Sequence, residues 1–340
     1  MSVKKIFLLA FFTLILACNV DDDDLINNVP AFEWTFIACE GNYGSSNGSI
    51  TMINGKGDIK ELNDIGDVVN SLAVYKNKLI VLVNNSHKIL IYEIYEDGLR
   101  LPGIEIDTQG SSPREMVVVD DKLYFTNWNS SDVKIFDMIN YIIEDSIQLS
   151  GYPESIVYGD ESLWVGIQLN DDYSDSNKLH KIDPISKTIN QTYEIGYGPT
   201  DIEINGESIY VANTYYDSSY NAYYGSTELN YSNDQISINN YGPGIVCGGD
   251  VLNLNNEIYR SFSGGIAKLN EELEIIEETK IGDFPPAQLY STETNDGKIY
   301  FGLTNFTDVN IVKVYDKENN ELNSYNVGII PGDFAFWKSE

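Results

Sequence analysis

The sequence predicts an all-β fold: a seven-bladed β-propeller of four-stranded antiparallel blades, closed by the C-terminal strand joining the N-terminal blade. Three observations predict it. One motif returns seven times at the spacing of a propeller blade. Each repeat holds four strand-like runs, and the two chain ends each supply part of one repeat.

The motif is a Gly/Pro turn, a short apolar stretch, a two-residue polar turn, then an apolar-aromatic strand. It is clear after Pro113, Pro153 and Pro199; Pro199 leads through Asn205-Gly206 to Ile209-Tyr210-Val211-Ala212-Asn213. Later copies begin at Pro243, Pro286 and Pro331, and a first copy without proline begins at Val69. The steps between the seven anchors are 40 to 46 residues, which is the length of a four-stranded blade. Within a repeat, runs such as Lys178–Asp183 and Thr188–Ile195 alternate apolar and polar residues and are rich in β-branched types. That is the strand pattern, and no stretch shows helical periodicity. The last anchor leads one strand, 333–337. The chain start supplies three, at 34–39, 49–54 and 59–62. Joining them closes the ring and removes the free sheet edges.

The N-terminus reads as an export signal. Lys4 and Lys5 precede an apolar run from Ile6 to Ala17, followed by Cys18. The run is too short for a membrane span, which needs about 20 apolar residues. Leu-Ile-Leu-Ala-Cys18 resembles the lipobox of bacterial lipoproteins, which implies cleavage before Cys18 and acylation of its sulfur. The expected domains are a signal peptide at 1–17, an acylated acidic tether at 18–32 and the propeller at 33–338. Asp21 to Asp24 resemble tags that send lipoproteins to the outer leaflet, so the expected location is the cell outer membrane, lipid-anchored and surface-exposed.

Composition narrows the partners. The chain has 52 acidic and 21 basic residues, a formal net charge of −31. Such a surface repels nucleic acid and anionic lipid, so the membrane is met only through the lipid. Cys39 and Cys247 lie two blades apart in the repeat map and read as buried thiols. Two histidines, His87 and His180, fall in unrelated repeats; this argues against a His-based metal centre or a Ser-His-Asp triad.

Gly-x-Pro, an apolar strand, a turn and Ile209 to Asn213 resemble the YncE-like propellers over residues 33–337. Glu40-Gly-Asn-Tyr-Gly-Ser-Ser-Asn-Gly-Ser49, with the lipobox and acidic tag, resembles surface propeller lipoproteins of Gram-negative bacteria. Some of these (BtuG-type) capture cobalamin for a TonB-dependent outer-membrane transporter. The resemblance implies ligand capture and does not fix the ligand.

Two groups of residues are candidates for that role. Two positions past each anchor stand Ser71, Glu115, Ser155, Asp201, Ile245, Gln288 and Asp333. Repeated once per blade, they form a ring at one channel mouth, a place for a cation or polar ligand or simply a wet surface. No metal or cofactor is required. The alternative is a channel Ca²⁺ held by Glu115, Asp201 and Asp333 in a hydrolase or lactonase.

The second group lies on the loops of the same face. It comprises Glu40, Asn42, Tyr43, Asn84, Asn127, Trp128, Tyr152, Gln168, Tyr197, Asn213, Tyr215, Tyr216, Tyr241, Phe262, Asn305 and Phe306, with Tyr173 and the Tyr-rich stretch to Gly225. Aromatic planes with amide donors suit flat, polar ligands such as corrins or sugars. The other face has short turns, and loops longer than a turn requires are where binding concentrates. No catalytic residues stand out, so a binding protein is expected rather than an enzyme. A protein-interaction or adhesion propeller is the other alternative.

Overall fold

The computed structural model describes residues 32–244, 249–307 and 310–339. The signal peptide, Cys18, the tether up to residue 31, Ile245 and Cys247 lie outside the described residues.

Seven antiparallel sheets form the ring. Blade 1 pairs Pro331–Lys338, Glu33–Cys39, Gly48–Asn54 and Ile59–Gly66. Blades 3, 4 and 5 begin at Pro113–Val119, Tyr152–Gly159 and Pro199–Asn205, and each adds three further strands in sequence order. Blade 2 begins at Val69–Tyr75, and its outer edge is split between Gly98–Leu99 and Ile104–Asp107, both paired with Lys88–Tyr95. Closure is as expected: Pro331–Lys338 runs antiparallel to Glu33–Cys39, from Glu33 opposite Lys338 to Cys39 opposite Pro331. The ring therefore closes within one compact unit, residues 32–340.

Alternation explains the packing. Along the second strand of a blade, successive side chains point to opposite sheet faces. Leu79, Val81 and Val83 enter the core shared with blade 1, while Ile80 and Leu82 enter the core shared with blade 3. Trp164 faces blade 5, and its neighbours Leu163 and Val165 face blade 3. Both faces of a blade are covered, so these strands read as continuous apolar runs. One apolar cluster fills each seam between adjacent blades among the described residues.

Two anchors are corrected. Pro243 ends the outer strand of blade 5, Gln235–Pro243, and the inner strand of blade 6 is Val251–Leu254. An outer strand has a free edge, so it tolerates a proline that has no N–H to donate. Gly242-Pro243 reads like the Gly198-Pro199 that opens blade 5, which is why the sequence misplaces it. The inner strand of blade 7 is Leu289–Asn295, three residues past Pro286. Gln288 instead precedes that strand, its carbonyl accepting from Thr304 N–H at 2.8 Å. Asp250 and Ser291 take the ring positions assigned to Ile245 and Gln288. Asp250 immediately precedes the first paired residue of blade 6, and Ser291 lies opposite Gly302 just after the bulge of its inner strand.

Candidate functional site

The entry of the inner strand is built alike in most blades. A register shift separates the anchor from the ring position at Val69/Ser71, Pro199/Asp201 and Leu289/Ser291. A bulge leaves one residue unpaired and re-aims its side chain. At the same level the next residue of the second strand donates its N–H back to the chain just before the anchor. Asn84, Trp128, Thr214 and Thr304 do this to Val68, Ser112, Gly198 and Gln288.

The ring residues clasp the seams. Asp333 accepts the N–H of Leu72 at 2.6 Å, joining blade 1 to blade 2. Asp201 accepts from Val251 N–H at 2.9 Å, and Asp250 accepts from Thr292 N–H at 2.6 Å and its hydroxyl at 2.7 Å. Ser291 donates to the Pro331 carbonyl at 2.7 Å. Between blades 3 and 4 the clasp is ionic. Arg114 donates Nε and Nη2 to Glu154 at 3.0 and 2.5 Å, and Nη1 to Asn70 Oδ1 at 2.9 Å. Its guanidinium carbon sits 4.8 Å from the centre of the Trp128 ring. Ser155 differs: its buried Oγ has no hydrogen-bond partner among the described residues.

These clasps surround a cavity of about 240 Å³ on the channel, lined by Glu115, Asp201, Glu203, Asp250, Glu293 and Asp333 together with Ser155 and Ser291. Burial pushes these carboxyls up. Asp250 and Glu203 rise to about 7, each raised further by the charge of Asp201. Asp333 rises to about 6, and Glu115 and Glu293 rise well above the ordinary carboxylate range. Crowded carboxyls in a low-dielectric site hold protons rather than all ionising. Glu115, Asp201 and Asp333 share the cavity, but among the described residues no three His, Cys, Asp or Glu side chains are grouped to hold a metal ion.

The predicted loop residues divide by exposure. Tyr43 is 79%, Tyr197 53%, Tyr216 50% and Phe306 42% exposed, and Tyr173 and Tyr220 reach 70% and 88%. Asn305 is exposed, while Trp128, Tyr152, Gln168, Tyr215 and Phe262 are half-buried. Tyr152 stacks on Tyr173 at 5.0 Å between centres and meets Trp128 edge-on at 5.5 Å. Tyr215 stacks on Tyr223 at 5.6 Å and touches Tyr197. Tyr173, Tyr216 and Tyr220 line one surface cleft with Asp175 and Asp217.

The buried amides hold loops. Asn84 donates to the Pro113 carbonyl, Asn127 to Phe125 and Asn213 to Gly196. The Tyr241 hydroxyl donates to the Leu273 carbonyl, and the Asn42 amide to that of Phe306. Glu40 accepts from the Tyr290 hydroxyl at 2.8 Å, and burial lifts its carboxyl to about 7. Cys39 is a buried free thiol, pushed up to about 11 by burial.

Sequence reasoning missed Arg114, Glu154, Arg260, Glu203, Glu293 and Tyr290. Arg114 and Glu154 each follow an anchor proline, at 113 and 153, so the repeat alignment could have paired them across a seam. Arg260 carries no such signal.

No protein-family model matches the chain, and no curated protein matches it by sequence. Solved structures do. A candidate 6-phosphogluconolactonase from Bacteroides uniformis aligns with a TM-score of 0.65 at 12% identity, over 91% of this chain and 99% of that one. A protein from Lactobacillus plantarum aligns with a TM-score of 0.64 at 12% identity, over 90% and 99%. Apo AztD from Citrobacter koseri aligns with a TM-score of 0.58 at 12% identity, over 91% and 99%. Likeness at this identity shows the fold alone. The fold is a β-propeller.

Proposed function

We propose that this protein is a lipid-anchored, surface-exposed capture protein. It takes a flat, polar ligand, with cobalamin as the leading case, on its loop face and passes it to a TonB-dependent outer-membrane transporter. One observation carries the reading: among the described residues six of the nine exposed aromatic rings, including the most exposed, gather on one face, while Phe32, Tyr95 and Tyr158 lie elsewhere. Tyr43, Tyr173, Tyr197, Tyr220 and Phe306 stand on loops between second and third strands or between blades, and Tyr216 ends the second strand of blade 5 beside them. The exposed large residues elsewhere are mostly aliphatic, such as Ile139 and Ile185 in the turns of the other face. Exposed aromatic surface gathered on one side marks binding sites. The channel supports the metal-dependent hydrolase less well, because its aspartates are engaged as clasps between blades.

The test is calorimetric titration of residues 32–340 with cobalamin, with and without Ca²⁺. Stoichiometric binding weakened at least about tenfold in a Tyr173→Ala/Tyr220→Ala variant is expected. Absence of cobalamin binding would sink the vitamin reading. Tight Ca²⁺ binding abolished by Asp201→Asn would move the function to the channel.

A further inference from the structure

The second-to-third strand loops of blades 4 and 5 follow Ser162–Leu169 and Ser208–Tyr216 and meet across one seam. The two loops are built alike. In each, a tight turn closes with the N–H of a tyrosine donating to the carbonyl three residues back: Tyr173 to Asn170 and Tyr220 to Asp217, both at 2.9 Å. Both tyrosines take left-handed backbone, with φ of 65° and 61°, a conformation that Gly or Asn adopts at less cost. The Tyr216 N–H donates to Asp175 Oδ2 at 3.3 Å and ties one loop to the other. Tyr152 stacks behind Tyr173.

Between the loops lies the cleft of Tyr173, Tyr216 and Tyr220, with Leu169, Asp175 and Asp217, about 370 Å³ in volume. That is within the range of small-ligand sites. No Lys, Arg or His lines it. Its polar groups are turned to the loops themselves. Asp217 Oδ1 accepts from the N–H of Ser219 at 2.8 Å and of Asn221 at 2.9 Å, and Oδ2 accepts from the Asn221 amide at 2.8 Å. These bonds, the Asn221 amide first, hold Asp217 below the ordinary carboxylate range, so it stays ionised. The Asn170 amide donates to Ser174 Oγ and to the Asp175 carbonyl. Burial raises the Asp175 carboxyl above its ordinary range, the direction expected of a carboxylate with no cation beside it. The cleft thus offers aromatic faces and negative charge, but few free hydrogen-bonding groups.

We infer that this cleft binds a quaternary ammonium group, its charge balanced by Asp175 and Asp217 and its methyl groups enclosed by the rings of Tyr173, Tyr216 and Tyr220. A cation within about 6 Å of a ring centre is attracted by the negative face of the ring. A quaternary ammonium has no N–H to satisfy, so it needs none of the acceptors already used within the loops. A sugar needs directional hydrogen bonds beside its stacking ring and finds few here. An anion is repelled by both carboxylates. The net charge of −31 adds long-range attraction for a cation. The inference rests on reading the loop face as a binding surface, and it names the chemical group that this part of the face takes.

The experiment is titration of residues 32–340 with choline, followed by the proton NMR shift of its methyl groups, alongside its neutral carbon isostere 3,3-dimethylbutan-1-ol and maltose. Saturable choline binding with an upfield methyl shift is expected, at least about fivefold tighter than the isostere. Tyr220→Ala and Asp175→Asn should each weaken it at least about threefold. Tyr220→Phe keeps the ring and removes the hydroxyl, so it should bind within about twofold of the wild type. Tyr220 is 88% exposed, so its variants leave the blade packing intact, and near-ultraviolet circular dichroism checks that each variant is folded. No choline binding to the wild type overturns the inference, as does unchanged binding in Tyr220→Ala. Equal binding of the isostere overturns the role of charge, and equal loss in Tyr220→Phe and Tyr220→Ala overturns the role of the ring face. Maltose binding in place of choline overturns the ligand class. If cobalamin fails while choline binds, only the vitamin reading falls; if cobalamin binds while choline fails, only this inference falls.

Discussion

Arg114, half-buried, and Arg260, fully buried, both lie near the loop-face end of their blades, and they are satisfied in opposite ways. Arg114 meets the carboxylate of Glu154 through two N–H groups, the amide of Asn70 through a third, and the face of Trp128. Its neighbours hold its pKa high despite burial. Among the described residues Arg260 donates hydrogen bonds only to backbone carbonyls, lies over the Tyr224 ring and keeps one nitrogen unpaired. The same side chain is a clamp in one seam and keeps a spare donor in another. What separates them is a carboxylate: Glu154 stands one residue past the blade 4 anchor, whereas among the described residues no carboxylate hydrogen-bonds the Arg260 guanidinium, which Asp250 and Asp201 influence only electrostatically.

The comparison is most easily broken at Arg114. Glu154→Ala leaves that half-buried guanidinium without its counter-ion. It should cost about 2–4 kcal/mol of stability, measured by urea unfolding. Arg260→Gln removes a cation that has no hydrogen-bonded carboxylate to strand, so it should cost only about 1–2 kcal/mol in the same assay. A larger loss at Arg260 than at Glu154 would mean that Arg260 is the clamp.

The channel sharpens the contrast, because there the carboxyls form no ion pair among the described residues. Glu203 and Asp250 bind protons in the folded state up to about pH 7, well above where the unfolded chain releases them. For an acid with a raised folded pKa, the native state holds more protons than the unfolded state between those values. Stability therefore falls as pH rises from about 4 to 7. The thermal midpoint should be higher at pH 5 than at pH 8, and Glu203→Gln should flatten part of that slope. A midpoint that rises with pH across this range would contradict the channel electrostatics.

Smaller effects follow at groups that are either sealed or fully wet. Cys39 is buried and its thiol is pushed up to about 11, so it should resist a thiol reagent until the protein unfolds. Tyr173→Ala/Tyr220→Ala should change stability by less than about 0.5 kcal/mol. A large loss there would make those rings structural and remove the main support for a binding face.

Much of the fold was legible because its repeat is written in local chemistry. Turn signals at Pro113, Pro153, Pro199 and Pro331, and alternating runs between them, locate four inner strands directly. They also locate the closing strand, because Asp333 to Trp337 lacks partners within its own repeat. Pro243 misled because a proline at the free edge of an outer strand looks like one that opens a blade. The exposed tyrosines of the loop face were legible too, since residues on long loops between strands stay near water. The amides were not: Asn127 and Asn213 have the composition of a binding loop but spend their hydrogen bonds on backbone carbonyls.

The sequence by itself determined the blade number, the closure of the ring and the face on which the aromatic loops gather. These depend on period-two alternation and on turns of a few residues, which act over short stretches of chain. Only the tertiary structure decided that the ring aspartates clasp neighbouring blades, that Glu203 and Glu293 share a channel cavity with them, and that Arg114 is paired while Arg260 is not. Those outcomes depend on residues 40 or more positions apart being brought within hydrogen-bond reach across a seam. The free energy of a buried charge is set by what stands within a few ångströms of it, and that distance exists only once the blades have packed.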